Sequence, residues 1–157
     1  MARRGMLSWV KQQVEEKDLQ SHINLLGKHS LDSMPGFYAS ADALLVSLKA
    51  SPAFSRTIPG KVQSYLIAGK PILGMLDGEG ARIIDEANAG YTCRSGDYAE
   101  LANKILVMSK LSNDEIQMLG ANGKNYAYKE FDRNMLISQL EQWFKELANT
   151  PVRSAIG

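Results

Sequence analysis

Hydrophobic residues along this chain fall into short runs separated by segments of helical periodicity. Two of these runs, at residues 43–48 and 71–76, are almost continuously apolar, which is typical of strands covered on both faces. Shorter apolar runs at residues 22–27 and 91–93 predict two further strands. Because strands alternate with helices, the pattern predicts an α/β fold with a Rossmann-like parallel sheet flanked by helices.

Capping signals predict where several helices begin and end. Apolar residues at helical spacing predict an amphipathic helix over residues 7–19. Gly69 is expected to end the helix that precedes the 71–76 strand, and Gly90 is expected at the C′ position of the helix that follows it. Three later helices are expected to begin at the capping residues Asp97, Ser112 and Asp132.

The last predicted helix carries an apolar stripe at helical spacing. We expect this stripe to pack mainly into the core, with contact to a missing partner as the alternative. Its residues are Met135, Leu136, Leu140, Trp143, Phe144 and Leu147.

Composition narrows the class of protein. The chain has 157 residues, of which 45% are hydrophobic and 22% charged, as in ordinary globular domains. A net charge of +1 gives no bulk attraction for nucleic acid or an anionic membrane. The single cysteine, Cys93, rules out an internal disulfide and is compatible with a reducing cytosol. No apolar stretch is long enough to predict a membrane span.

The segment Pro59-Gly60-Lys61 is a candidate anion site. A helix N-terminus presents unpaired amides and the positive end of the helix dipole. Gly60 would let a ligand approach the backbone, and Lys61 would add a mobile charge suited to phosphate oxygens. The same pattern is also typical of a plain turn before a helix that has proline at its first position.

A second glycine-rich turn, Gly78-Glu79-Gly80, follows the next predicted strand. Carboxyl ends of parallel strands meet at one edge, so we expect both loops to border one cleft for a phosphorylated sugar or nucleotide. Glu79 would accept hydrogen bonds from sugar hydroxyls, or would simply complement the dipole of its own helix. No metal or other cofactor is expected, because the chain has no Asp-x-Asp motif and no ligand-like cluster around its two histidines.

The runs "IPGKVQSYLIAGKPIL" and "DGEGARIIDEANAGYT" resemble the donor-binding region of retaining glycosyltransferases of the GT-B fold, family 4. They are most similar to the bacterial branch that builds O-antigen and capsular polysaccharide, including L-fucosamine transferase-like members. The resemblance extends over about residues 6–145. It implies that the helix beginning at residues 59–61 faces the diphosphate of a nucleotide sugar.

Two positions depart from the family's paired glutamates. The family residue that binds the ribose hydroxyls corresponds here to Ser64, and the second glutamate corresponds to Arg56. A bidentate carboxylate–ribose contact is therefore not expected, although Ser64 can make one hydrogen bond. The substrate-binding residues implied by pattern and resemblance are Pro59, Gly60, Lys61, Ser64, Gly78, Glu79 and Gly80.

The resemblance covers only the C-terminal, donor-binding domain of such an enzyme, as a partial second domain of the GT-B fold. We expect residues 1–150 to form this nucleotide-sugar-binding domain without its first two strands, and residues 151–157 to form a flexible tail. Loss of those strands would leave one edge of the 43–48 strand unpaired. We expect either the 22–27 strand or a second copy of the chain to cover this edge.

The implied function is transfer of a sugar from a nucleoside diphosphate sugar, with UDP expected, to a lipid-linked glycan in surface polysaccharide synthesis. The alternatives are a non-catalytic nucleotide-sugar-binding module that needs an acceptor-domain partner, and an epimerase of similar architecture. The expected partners are the nucleotide-sugar donor together with an acceptor-domain chain or a second copy, and no nucleic acid. The expected location is the cytoplasm, with peripheral contact at the inner face of the membrane left open.

Overall fold

The computed structural model describes the backbone of residues 2–149 and the side chains of residues 7–149. The chain divides into two compact units, Met1–Met34 and Pro35–Gly157. The predicted tail at residues 151–157 lies outside the described residues. The candidate residues for function all belong to the second unit.

The first unit contains helix α1, Ala2–Glu16, and a short 3-10 helix, Leu31–Ser33. The prediction of an amphipathic first helix is confirmed, but the prediction of a strand at residues 22–27 is wrong. The amides of His22 and Ile23 both donate to the carbonyl of Leu19, so they continue a helical turn. Amides engaged in that way cannot pair with a neighbouring strand.

The second unit contains a three-stranded parallel sheet in the order β1-β2-β3. Strand β1 is Leu44–Ser47, β2 is Ile72–Met75 and β3 is Gly90–Cys93. The α/β prediction and the positions of these three strands are therefore confirmed. Among the described residues β1 is an edge strand, so the expectation that residues 22–27 pair with it is wrong; pairing with a second copy stays a prediction.

Seven helices flank or follow this sheet, counting those within the described part of the chain after α1. Helix α2 precedes β1, and α3 and α4 connect β1 to β2. Helix α5 connects β2 to β3, and α6, α7 and α8 follow β3. Their bounds are α2 Met34–Ser40, α3 Pro52–Ser55, α4 Gly60–Ala68, α5 Glu79–Glu86, α6 Tyr98–Met108, α7 Asn113–Glu130 and α8 Arg133–Asn149.

The two faces of the sheet are packed differently. On the first face, Val46 and Ile72 are buried against α4 and α5, in a cluster that includes Leu66 and Ile84. On the second face, Leu73 packs against a smaller cluster around α6. Side chains alternate between the faces of a strand, so residues 45 and 47 of β1 lie on the same face as Leu73. The second face of the sheet is therefore covered over β2 but not over β1, where the Leu45 side chain is 50% exposed.

The structure confirms the predicted end of α4 and contradicts the predicted end of α5. Gly69 ends α4 in the left-handed conformation, with φ 68° and ψ 35°, as expected. The prediction for Gly90 is wrong, because α5 ends earlier and Asn88 takes the left-handed position with φ 46°. Gly90 instead begins β3, where an added Cβ would lie 1.9 Å from the carbonyl oxygen of Ile72. Position 90 must therefore be glycine, because β2 and β3 approach each other too closely there for a side chain.

The capping prediction for α7 is confirmed. Ser112 accepts a hydrogen bond from the Glu115 amide at 3.3 Å, and Glu115 accepts one from the Ser112 amide at 2.7 Å. We expect Ser112→Ala to lower the free energy of unfolding by about 1 kcal/mol, because it leaves one helix amide without this partner. Urea unfolding followed by circular dichroism measures this loss. Ser109→Ala is the control, since its hydroxyl bonds only a carbonyl near the end of α6, and an equal effect of both variants would contradict the capping role.

The last helix, α8, begins as predicted, with Asp132 accepting a hydrogen bond from the Met135 amide at 2.8 Å. The expectation that its apolar stripe belongs to the core is wrong. No residue of α8 is buried, and Trp143 and Phe144 are 58% and 62% exposed. Helical periodicity places these residues on one face but does not say whether anything packs against it.

Candidate functional site

The N-terminus of α4 is open and carries unpaired amides. Pro59 is the N-cap residue, with φ −64° and ψ 133°, so the proline stands one position before the first helical residue. Its carbonyl accepts the Val62 amide at 2.9 Å. Within the described residues the amides of Gly60 and Lys61 have no hydrogen-bond partner, as expected for the first turn of a helix. This end of α4 can therefore donate hydrogen bonds to an anion.

Open space surrounds this helix start. An added Cβ at Gly60 would meet no atom within 4 Å, and the Lys61 side chain is exposed. Ser64 lies one turn further along and donates its hydroxyl to the Gly60 carbonyl at 3.0 Å. Residues four apart share a face of a helix, so Gly60 and Ser64 present one continuous surface.

A cavity of about 420 Å³ continues that surface between α4 and α2. Its size is within the usual range of small-molecule sites. The wall supplied by α2 was not predicted from the sequence; the aromatic pair in "GFYAS" is the signal that could have indicated it. The cavity is lined by Pro35, Tyr38, Ala39, Ser64, Ile67 and Ala68.

Tyr38 is held at this cavity by a second tyrosine. Its ring packs edge-on against that of Tyr65, with centroids 5.4 Å apart. The Tyr65 hydroxyl donates to the carbonyl of Leu45 at 3.5 Å, which ties α4 to β1. Burial, together with the neighbouring Tyr38, raises the pKa of Tyr65 above its usual value, so the Tyr65 hydroxyl keeps its proton at physiological pH.

The glycine-rich turn before α5 lies against the start of α4. An added Cβ at Gly80 would lie 3.0 Å from the Cδ atom of Pro59, which brings the two predicted loops together. Gly78 has φ 75°, and its Cβ would lie 2.1 Å from the carbonyl oxygen of Ser55. Gly78 is thus required for chain packing, whereas a Cβ at Gly80 would crowd the Leu76 side chain, 2.6 Å away. The role of both glycines in ligand binding stays a prediction.

Glu79 is engaged within its own helix. Its carboxylate accepts from the Arg82 guanidinium at 2.9 Å, and this pairing raises the pKa of Arg82. Arg82 also pairs with Glu86. A sugar hydroxyl would therefore compete with Arg82 for Glu79. Arg56, at the C-cap of α3, is exposed and adds a cation three residues before Pro59.

The carboxyl ends of the strands form a second concavity, of about 550 Å³. Asp77, which follows β2, accepts the Ser95 amide at 3.2 Å, and the Ser95 hydroxyl donates to the carbonyl of Leu48. These bonds fix the loops after all three strands to one another. No cluster of potential metal ligands occurs among the side chains that the structure describes. Likewise, no described helix is long and apolar enough to cross a membrane.

Fold and sequence together place the chain in a family. Residues 3–110 match the model of the glycosyl transferases group 1 family, and the chain belongs to that family. The chain is 25% identical over 134 residues to the uncharacterized glycosyltransferase MJ1178 of Methanocaldococcus jannaschii. That match covers 85% of this chain and 36% of the relative.

Solved structures show the same fold. Anabaena Alr3699/HepE in complex with UDP has a TM-score of 0.80 at 17% identity, and the match covers 93% of this chain and 38% of that one. The same protein in complex with UDP-glucose gives a TM-score of 0.77 with the same identity and coverage. The α/β unit is therefore part of a GT-B glycosyltransferase fold. The chain spans little more than a third of the length of these proteins.

Proposed function

We propose that this chain is the donor-binding part of a retaining, family 4 glycosyltransferase. The donor is a nucleoside diphosphate sugar, with UDP as the nucleotide, and the acceptor is a lipid-linked glycan in surface polysaccharide synthesis at the cytoplasmic side of the membrane. The observation that carries the proposal is the open start of α4, with unpaired amides beside a nucleoside-sized cavity. The UDP and UDP-glucose bound by Alr3699/HepE support the ligand class.

The diphosphate is the group that α4 would hold. The amides of Gly60 and Lys61 donate to its oxygens along the helix axis, and the Lys61 ammonium adds a full positive charge. When the bond between the anomeric carbon and the diphosphate breaks, negative charge grows on the leaving phosphate. Donors already aimed at that position stabilise the charge without reorganisation. Arg56 provides a further cation on the loop before α4.

The nucleoside would occupy the cavity between α2 and α4. The Ser64 hydroxyl donates one hydrogen bond to a ribose hydroxyl or accepts one from it, whereas a carboxylate at this position would accept two. Tyr38 and Ile67 provide apolar surface for the base. Because Tyr38 is braced by Tyr65, its ring loses little further freedom when a ligand binds.

The partial match to longer proteins supports a second candidate function, in which the chain binds the donor but does not transfer the sugar. The chain matches only 36–38% of its relatives' length, and the residues that receive the acceptor can lie in the remainder. Transferase assays on the chain alone, and mixed with a candidate acceptor-domain chain, separate the two functions. Turnover by the chain alone would exclude the binding-only function.

Donor binding is tested by thermal unfolding in the presence of UDP, UDP-glucose, and GDP- and dTDP-sugars. We expect the uridine ligands to stabilise the chain most, by about 2.7 kcal/mol at a hundred times the Kd. Lys61→Ala should weaken UDP binding about tenfold, because one charge-assisted contact to phosphate is lost. Lys110→Ala is the control, since Lys110 is an exposed lysine after α6. If UDP stabilises the Lys61→Ala and Lys110→Ala variants equally, Lys61 does not contact the ligand. If no nucleotide stabilises the unsubstituted chain, the proposal is refuted.

A further inference from the structure

The cavity between α2 and α4 has few polar groups with which to hold the pentose of a nucleotide. Of the side chains that line it, only those of Tyr38 and Ser64 are polar, and each carries a hydroxyl group. None of the lining side chains is acidic, basic or an amide. The lining therefore offers no charge-assisted hydrogen bond to the 2′ and 3′ hydroxyls of a ribose.

The Ser64 hydroxyl already uses its proton within α4. It donates to the Gly60 carbonyl at 3.0 Å. With this bond kept, the Ser64 oxygen faces a ligand only as an acceptor. A carboxylate could hold the two ribose hydroxyls with one oxygen each, whereas the single oxygen of Ser64 is satisfied by one of them. A 2′-deoxyribose keeps its 3′ hydroxyl, which can use the same oxygen.

The wall of the cavity on the side of α4 is open to water. The Ser64 side chain is exposed, and the Ile67 side chain is 51% exposed. A ribose hydroxyl at this wall can exchange its hydrogen bonds with water. Removal of such a hydroxyl leaves no buried group unpaired, so it costs little affinity.

No buried polar side chain of the described part of the chain lacks a partner that a ribose hydroxyl could supply. Every buried side-chain nitrogen or oxygen atom among these residues already has a hydrogen-bond partner. Sites reject a ligand that lacks one hydroxyl by about 10⁴-fold or more only when that ligand leaves buried polar groups unpaired. Strong selection for ribose is therefore not expected from these residues.

We infer, on the basis of the proposed function, that this chain does not distinguish ribose from 2′-deoxyribose. The pentose makes one neutral hydrogen bond to Ser64, and such a bond changes affinity by about tenfold or less. The diphosphate at the start of α4 and the base against Tyr38 supply the other contacts. Sugars activated with a 2′-deoxynucleoside diphosphate therefore belong to the class of donors. Any preference between uridine and thymidine donors comes from the base.

The test compares UDP with its 2′-deoxy analogue, dUDP, by calorimetric titration of the full chain. We expect the Kd of dUDP to lie less than about tenfold above that of UDP, because the 3′ hydroxyl remains to bond Ser64. A larger ratio would overturn the inference and leave the proposed function intact. Binding of neither nucleotide would refute the proposed function, and the inference with it.

Ser64→Glu shows whether the pentose lies beside position 64. A carboxylate there can accept hydrogen bonds from both ribose hydroxyls, so this variant should prefer UDP over dUDP by about tenfold or more. The matched control is Gln63→Glu, which places the same carboxylate on a residue of α4 outside the cavity lining and should keep the ratio of the unsubstituted chain.

Neither position is buried, so both variants should fold, which thermal unfolding verifies. If Ser64→Glu prefers UDP no more than Gln63→Glu does, the pentose does not reach Ser64 and the inference is overturned.

Discussion

Replacing Gly120 by alanine is expected to lower the free energy of unfolding by about 3 kcal/mol, at the upper end for overpacking a close contact. Gly120 is buried in α7, where an added Cβ would lie 2.2 Å from the carbonyl oxygen of Gly69. That oxygen belongs to the residue that ends α4 in the left-handed conformation. Neither backbone can give way without separating α7 from α4. Urea unfolding of the full chain measures the loss.

The matched control for this substitution is Gly36→Ala in α2, because nothing lies within 4 Å of a Cβ at that position. Alanine is favoured over glycine in a helix, so this variant should be unchanged or stabilised by up to about 1 kcal/mol. Similar stabilities for the two variants would show that α7 does not lie tightly across the end of α4.

The largest expected effect on ligand binding comes from Ser64→Phe. The phenylalanine ring would enter the cavity between α2 and α4, so the stabilisation by UDP should fall below detection. Ser64 is exposed and bonds only its own helix, so stability without ligand should change little. Thermal unfolding with and without UDP measures both quantities. Unchanged UDP binding would exclude this cavity as the nucleoside site.

Ser64→Glu is the companion variant, since it introduces the carboxylate that the resemblance leads one to expect at this position. A carboxylate can accept two charge-assisted hydrogen bonds from ribose hydroxyls, where serine makes one. We expect UDP to bind about as tightly or up to about tenfold more tightly. Weakened binding, comparable to that of Ser64→Phe, would mean that the ribose does not reach α4.

The local sequence pattern predicted the structure correctly where a residue interacts with its immediate neighbours in the chain. The 43–48 and 71–76 runs became β1 and β2, because a continuous apolar run between turns has few alternatives to a buried strand. Ser112 and Asp132 begin their helices because a cap bonds an amide only three residues away. The candidate anion site could be located for the same reason, since helix start and lysine are adjacent in the chain.

Predictions failed at residues 22–27 because of a competing local hydrogen bond, and at Gly90 and α8 because the outcome depends on residues far away in the chain. The 22–27 run has the composition of a strand, but its first amides are used by Leu19. The glycine at 90 resembles a helix end, yet the carbonyl of Ile72 on the neighbouring strand is what requires it. The stripe on α8 has the spacing of a core helix and remains exposed. The sequence pattern of a segment does not show which other residues pair with it or pack against it.

The sequence by itself determined the α/β class, three strands, the main helix caps and the residues at the start of α4, because these depend on interactions within a few positions. The tertiary structure alone decided that Gly80 meets Pro59, that Tyr38 and Ser64 share a cavity, and that β1 and α8 keep apolar surfaces uncovered. Those features depend on how elements far apart in the chain pack together. Such packing is set by the shape and volume of whole elements, which no local periodicity encodes.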